Sequence, residues 1–120
     1  MEEIILFESE LKVMKIIWKH GSITAKEISL IAKQDIGWNK NTTYTIIKKL
    51  IGKNALLRVE PNFVCKPLIT IEYVRVQETN KLVNKLYSGS AKLLLSSFLE
   101  KEELSKDELE ELKLLIDKKM

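Results

Sequence analysis

Apolar residues recur at helical spacing in six stretches of the chain and at strand-like density in two. From Ser9 to His20, Leu11, Met14, Ile17 and Trp18 form one stripe, and Gly21 closes the segment. Ser22, Ile23 and Thr24 read as a short extended piece. Thr24-Ala25-Lys26-Glu27 has the form of a capping box, so a second helix is expected from there to about Lys33, burying Ile28, Ile31 and Ala32. Asp35, Gly37 and Asn39 mark a turn. A third helix is expected from about Lys40 to Lys53, with Ile46, Ile47, Leu50 and Ile51 inward and Asn54 as a left-handed terminator. Ala55 to Glu60 and Phe63 to Ile71 are rich in Val, Ile, Leu and Phe around Pro61-Asn62, the pattern of a β-hairpin. Pro67 cannot donate a ladder hydrogen bond, so the second strand is an edge there or ends early.

Helical patterns then resume. Glu72 to Ser88 carries Val76, Leu82, Val83, Leu86 and Tyr87, and stops at Gly89. Ser90 to Leu99 carries Leu93, Leu94, Leu95, Phe98 and Leu99. A second capping box, Ser105-Lys106-Asp107-Glu108, precedes Leu109, Leu112, Leu115 and Ile116 on one face. The expected fold is mainly α with a small β-hairpin wing. A winged helix-turn-helix domain occupies residues 1–71, and a three-helix dimerisation domain occupies residues 72–120.

Charge sharpens this reading. The whole chain carries +3, yet residues 1–70 hold ten Lys and one Arg against six Glu and one Asp, a net +4. Residues 71–120 hold eight Lys and one Arg against eight Glu and two Asp, a net −1. Between 36 and 66, Lys40, Lys48, Lys49, Lys53, Arg58 and Lys66 face Glu60 alone. A basic half beside a near-neutral half suits a polyanion-binding domain joined to an assembly domain. A solvated lysine-rich surface accounts for the charge equally well on its own.

Element order decides between those readings. Three helices followed by a two-stranded wing place the third helix in a DNA major groove. Lys40 then neutralises a phosphate, and Asn41, Thr42, Thr43 and Thr45 contact phosphates or base edges. Tyr44 bonds a phosphate or lies against a sugar, while Lys48 and Lys49 extend the basic face. Arg58 and Lys66 bring the wing to the backbone. Trp38 is read as a packing residue. In the C-terminal half, Leu82, Leu86, Leu93, Leu94, Phe98, Leu109 and Leu112 are too many apolar residues for about 50 residues to bury alone, so dimerisation is expected across them. Packing back on the N-terminal domain is the other way to cover them.

Other chemistry is thin. Cys65 is the one cysteine, so no intrachain disulfide or cysteine-rich metal site forms, and its apolar strand marks it as a packing residue. His20 sits at a helix end, suited to the last carbonyls. No nucleophile–base pair, phosphate loop or metal-ligand cluster is visible, so an enzyme is not expected and no cofactor is implied. Met1-Glu2-Glu3 opens no signal peptide, and the longest apolar run, Ile4 to Phe7, cannot span a bilayer. These features point to the cytoplasm. The chief rival to a DNA-binding regulator is a winged-helix module that binds protein, separable by salt-sensitive DNA affinity.

The run Trp38-Asn39-Lys40-Asn41-Thr42-Thr43-Tyr44-Thr45-Ile46-Ile47-Lys48-Lys49-Leu50 resembles the recognition helix of the penicillinase and methicillin-resistance repressors, the BlaI/MecI/CopY family. Trp38, Thr42, Thr45, Lys49 and Leu50 carry the likeness. Glu10 to Trp18 is similar to that family's first helix, and Pro67-Leu68-Ile69-Thr70 to its exit from the wing. Leu86 to Ser90, Phe98 to Ser105 and Glu110-Glu111-Leu112 are similar to its C-terminal half. The resemblance implies a homodimer that binds a palindromic operator of double-stranded DNA and blocks transcription. Half-sites would then lie about 10 bp apart or a multiple of that. It also implies relief by a sensor-linked protease, with cleavage between Ser97 and Phe98, where the best-known members carry Asn in place of Ser97. Antibiotic-resistance genes of the β-lactamase type are the implied targets. Two further departures stand out: Tyr44 replaces a common Arg, and the wing Arg58-Val59-Glu60-Pro61-Asn62 is shorter and less basic. The C-terminal cysteine motif of the copper-responsive branch is absent.

Overall fold

The computed structural model describes residues 3–120. Met1 and Glu2, on which the N-terminal signal reading rests in part, lie outside the described residues. The chain divides into two compact units, one running to Arg75 and one from Val76.

In the first unit, helix α1 spans Glu8–His20. Glu8 and Glu10 in its first turn and Lys19 and His20 in its last complement the helix dipole. Its inward stripe is Glu10, Val13, Met14 and Ile17, a rotation from the expected one that leaves Leu11 and Trp18 half-buried. Trp18 Nε1 donates to the Ile69 carbonyl at 2.9 Å, tying the helix to the chain beyond the wing. Gly21, at φ 78°, ends α1 in a backbone region that favours glycine.

Strand β1 is Ile23–Thr24, and helix α2 follows at Ala25–Asp35, two residues longer than the pattern predicted. The Thr24 hydroxyl accepts from Glu27 N at 3.1 Å. The reverse half of the expected capping box does not form; Thr24 Oγ1 instead donates to Glu27 Oε1 at 3.1 Å. The Ala32 carbonyl accepts from Ile36 and Gly37, whose φ of 88° lets the chain reverse. Helix α3 spans Lys40–Gly52, with Asn39 Oδ1 accepting from Thr42 N at 2.8 Å. Asn54 terminates it at φ 64°, as its residue type predicted.

Strands β2 (Leu56–Val59) and β3 (Val64–Pro67) form the wing hairpin, with Leu56 opposite Pro67 and Val59 opposite Val64. β1 pairs with the other side of β3, so the sheet order is β1-β3-β2 and all pairs are antiparallel. Pro67 escapes conflict because β1 reaches only Val64 and Cys65, and β3 ends there. The core gathers Met14, Ile17, Ile23, Ile28, Ile47, Leu50, Leu56 and Cys65 from all these elements. Each fully buried aliphatic side chain contributes roughly 1.5–3 kcal/mol of burial free energy.

One charged residue sits in this core. Glu10 is 1% exposed, and its Oε1 accepts from Phe7 N at 2.8 Å and from Lys53 Nζ at 2.6 Å. Lys53 also donates to the Ile5 carbonyl at 2.8 Å and lies 4.3 Å from the centre of the Phe7 ring. The lysine that follows α3 therefore ties down the start of α1 through a buried carboxylate.

Helix α4 covers Ile71–Leu86 and spans the unit boundary; its Tyr73 hydroxyl accepts from Ile4 N at 3.3 Å within the first unit. The turn after it uses positive φ at Ser88 (51°) and Gly89 (79°). In the second unit, α5 is Ala91–Lys101, capped by Ser90, and α6 is Lys106–Lys119. Ser105 and Glu108 form the expected reciprocal capping box. Among the described residues, no residue of α5 or α6 is buried.

Candidate nucleic-acid interface

The third helix presents two faces of opposite character. Thr43, Ile46, Ile47 and Leu50 are buried. Lys40, Asn41, Thr42, Thr45, Lys48 and Lys49 are exposed. Asn41, Thr42, Thr45, Lys48 and Lys49 follow helical spacing, so one continuous polar and basic stripe runs along the outside of α3. A shallow depression of about 530 Å³ opens beside it, lined by Ser9, Trp38, Asn39, Asn41, Thr42, Thr45, Ile46 and Lys49. Trp38 is half-buried against the core, as its packing role predicted. The Thr45 hydroxyl donates to the Asn41 carbonyl at 2.8 Å.

Thr43 does not belong to this stripe. It is fully buried, and its hydroxyl faces the Asn39 carbonyl at 3.4 Å. The polar run 40–45 hides this: one position in it must face inward, because a helix turns about 100° per residue. A threonine fits there since its hydroxyl can return to a backbone carbonyl. Tyr44 is half-buried rather than free, with its ring edge-on to Phe63 at 5.9 Å and Lys40 Nζ 5.6 Å from its centre.

On the wing, Arg58 and Lys66 are exposed. Arg58 is engaged on two sides. Its guanidinium lies 3.7 Å from the Phe63 ring centre, and its Nε donates to Glu60 Oε1 at 2.5 Å. The Glu60 carboxylate also accepts from Phe63 N at 3.3 Å. The Arg58 contact holds the Glu60 carboxyl below the usual carboxylate range. The sequence pattern marks Glu60 as the one acid of the basic window and Phe63 as the start of a strand, but assigns neither a role at the interface. Lys53, counted within the basic window, is committed to Glu10 and lies outside the stripe.

Cys65 is buried in β3, and burial pushes its thiol up to about 11. His20 Nδ1 lies 3.0 Å from the Ile16 carbonyl, one of the last in α1. Among the described residues, no group of three or more His, Cys, Asp or Glu could hold a metal ion, and no helix is long and apolar enough to cross a membrane.

The model of the penicillinase repressor family matches residues 6–118. The chain belongs to the penicillinase repressor family. The penicillinase repressor of Bacillus licheniformis is 34% identical over 108 residues, 88% of this chain and 84% of that one. The methicillin resistance regulatory protein MecI of Staphylococcus aureus is 32% identical over 113 residues, 92% of each chain. The solution structure of the DNA-binding domain of the repressor BlaI matches with a TM-score of 0.55 at 34% identity, covering 61% of this chain and 93% of that one. A solution structure of the monomeric Bacillus licheniformis BlaI with the blaP half-operator matches with a TM-score of 0.54 over the same shares. Membership in this family makes the winged helix-turn-helix the fold of the first unit, and the family is one of repressors rather than enzymes.

The residues expected to bury a dimer lie on or near α4, α5 and α6. Leu82, Leu86, Leu93, Phe98, Leu109 and Leu112 are exposed, and Leu94 is half-buried. Between α5 and α6 an apolar groove of about 630 Å³ is lined by Leu95, Phe98, Leu99, Leu104, Leu112, Leu115 and Ile116, with Glu108 and Glu111 at its margin. The Ser97–Phe98 peptide falls inside α5, where the Ser97 hydroxyl donates to the Leu94 carbonyl at 3.3 Å.

Proposed function

We propose that this protein is a sequence-specific transcriptional repressor that binds an operator in double-stranded DNA as a homodimer. The observation that carries the reading is the outer stripe of α3. Asn41, Thr42, Thr45, Lys48 and Lys49 project from a helix whose opposite face is locked into the core. Such a stripe supplies base-edge hydrogen bonds, threonine methyls for thymine, and two ammonium groups for phosphates. Lys40 and the amides at the start of α3 add a site suited to a phosphate. Lys66 brings a further cation from β3. The half-operator complex of the Bacillus licheniformis relative supports the same use of the matching domain.

Dimerisation through the second unit follows from its exposed leucines. Leu95, Phe98, Leu99, Leu112, Leu115 and Ile116 would each stay in water in a lone chain. A second copy covers such a patch and sets two α3 helices about one helical turn of DNA apart. The relatives' names support genes of penicillin or methicillin resistance as targets, in the cytoplasm where the DNA lies. Relief by a sensor-linked protease at Ser97–Phe98 requires α5 to unwind first, since this peptide is helical.

A polarisation titration tests the reading. The duplex is the DNA upstream of the protein's own gene, with random duplex as competitor, at two salt concentrations. Specific binding by two chains per operator is expected, weakening steeply with salt. Phe98→Asp, in the apolar groove, is expected to yield a monomer in sedimentation with weakened operator binding. Absence of any duplex binding at low salt would overturn the proposal.

A further inference from the structure

A row of side chains joins the recognition helix to the wing. It runs from Lys40 to Tyr44, then to Phe63, Arg58 and Glu60, with separations of 5.6, 5.9, 3.7 and 2.5 Å between successive members. Two cations flank two aromatic rings, and one of the cations is capped by a carboxylate. Phe63 holds its place at φ 52°, a left-handed conformation that is rare for a bulky residue. A residue held there is over-determined by its surroundings, and here those are backbone hydrogen bonds to Glu60 and Ala25, the perpendicular Tyr44 ring and the Arg58 guanidinium.

Glu60 is the single acid between residues 36 and 66. Its carboxylate is spent on the wing itself, on Arg58 Nε and on Phe63 N. We propose that Glu60 is a positioning residue that withholds Arg58 from the DNA backbone and so limits the affinity of the wing for DNA. The inference rests on the DNA-binding reading and deepens it. Stacking on Phe63 fixes where the guanidinium lies, and the carboxylate fixes where its Nε points. A phosphate approaching Arg58 meets a carboxylate already in place, which occupies the Nε donor and repels the phosphate. Both Arg58 and Glu60 are about half exposed, so the pair stands at the surface where a DNA backbone would pass. Removing the carboxylate frees a cation that is already located. Lys66, on the paired strand opposite Leu57, has no such carboxylate among its described contacts and remains the wing's open cation.

The test compares the full-length wild type with Glu60→Gln, Arg58→Met and the double variant. Each is titrated on one operator duplex and one random duplex between 50 and 200 mM salt. Glutamine keeps the size of the side chain and an oxygen acceptor for Phe63 N, and thermal melts check that all four chains fold. Glu60→Gln is expected to bind both duplexes more tightly, with a salt slope steeper by about 0.9, the value of one added phosphate contact. Its advantage then shrinks about threefold across that salt range. Arg58→Met alone is expected to leave the wild-type slope unchanged, and the double variant to match it. Equal affinity and slope for Glu60→Gln and wild type would overturn the proposal. So would a shallower slope for Arg58→Met, since Arg58 would then already touch DNA with Glu60 present. Failure of the wild type to bind either duplex would instead refute the DNA-binding reading.

Discussion

Lys53 separates sequence charge from usable charge. Counted along the chain, it is one of six cations in the basic window. In the fold, it is the partner of a carboxylate that is 1% exposed. Lys53→Met leaves Glu10 with the Phe7 amide but without a cation. Removing one member of a buried pair costs about 3–5 kcal/mol. The lysine side chain is 30% exposed, so water reaches the vacated position and the loss falls to about 2 kcal/mol. Loss of the contact with the Phe7 ring adds roughly 0.5 kcal/mol. One Glu10 oxygen, Oε2, already lacks a hydrogen-bond partner, so the carboxylate has little reserve once the lysine goes.

Both tryptophans, Trp18 and Trp38, lie in the first unit, so urea unfolding followed by their fluorescence reports on this unit. The midpoint is expected to fall by an amount worth about 2–3 kcal/mol, and Tm by about 10 °C. Glu10→Gln in the Lys53→Met background is expected to recover part of the loss, because it removes the unpaired charge. At a temperature where all variants are folded, Lys53→Met is expected to leave the salt slope of DNA binding unchanged. A stability change below about 0.5 kcal/mol would mean that the pair is screened like a surface pair, and the argument fails. A slope shallower by about 0.9 would put Lys53 at a phosphate, and the assignment of its charge fails as well.

Two other outcomes follow from burial. Thr43→Val keeps the shape of a fully buried side chain and gives up a long hydrogen bond, so a loss below about 1 kcal/mol and unchanged operator affinity are expected; Thr42→Val, on the outer stripe, is expected to weaken operator binding, and polarisation titrations of both variants check the contrast. The Cys65 thiol, raised from near 9.0 to about 11 by burial, is protonated in the folded protein at pH 8. Its alkylation there is expected to be slow until urea unfolds the chain, as timed mass spectrometry would show. Because the folded thiol holds its proton more tightly than the unfolded one, its contribution to stability is complete below pH 9 and lost as pH rises towards 11.

The order of elements was legible because most boundaries carry a local signal. Thr24, Asn39, Ser90 and Ser105 cap the helices that follow them, and Gly21, Asn54 and Gly89 stop or follow the helices before them. The pairing of β1 with β3 was not legible. Two residues give no alternation to read, and their partner lies some forty positions away. The ion pair of Glu10 with Lys53 was hidden for the same reason, since 43 positions separate its members. Long-range contacts between single residues leave no periodicity behind.

The site divides along the same line. Helical period alone separates Thr42 and Thr45 from Ile46 and Leu50. It also assigns Thr43 to the core, once Ile47 and Leu50 are taken to define the inward face, four and seven positions on. Residue type argued the other way, because a threonine in a polar run suggests a contact. Where period and residue type disagree, geometry favours period: the helix fixes where a side chain points before chemistry decides what it touches. On the wing there is no such period to use. Arg58 and Glu60 lie two apart at the strand end, and Phe63 reaches back across the turn to both. The charge count there was right, but a cation's availability depends on the neighbour that the turn supplies. The recognition helix is therefore written in the sequence as a pattern, whereas the wing's share of the interface is set by one turn and the acid it places beside Arg58.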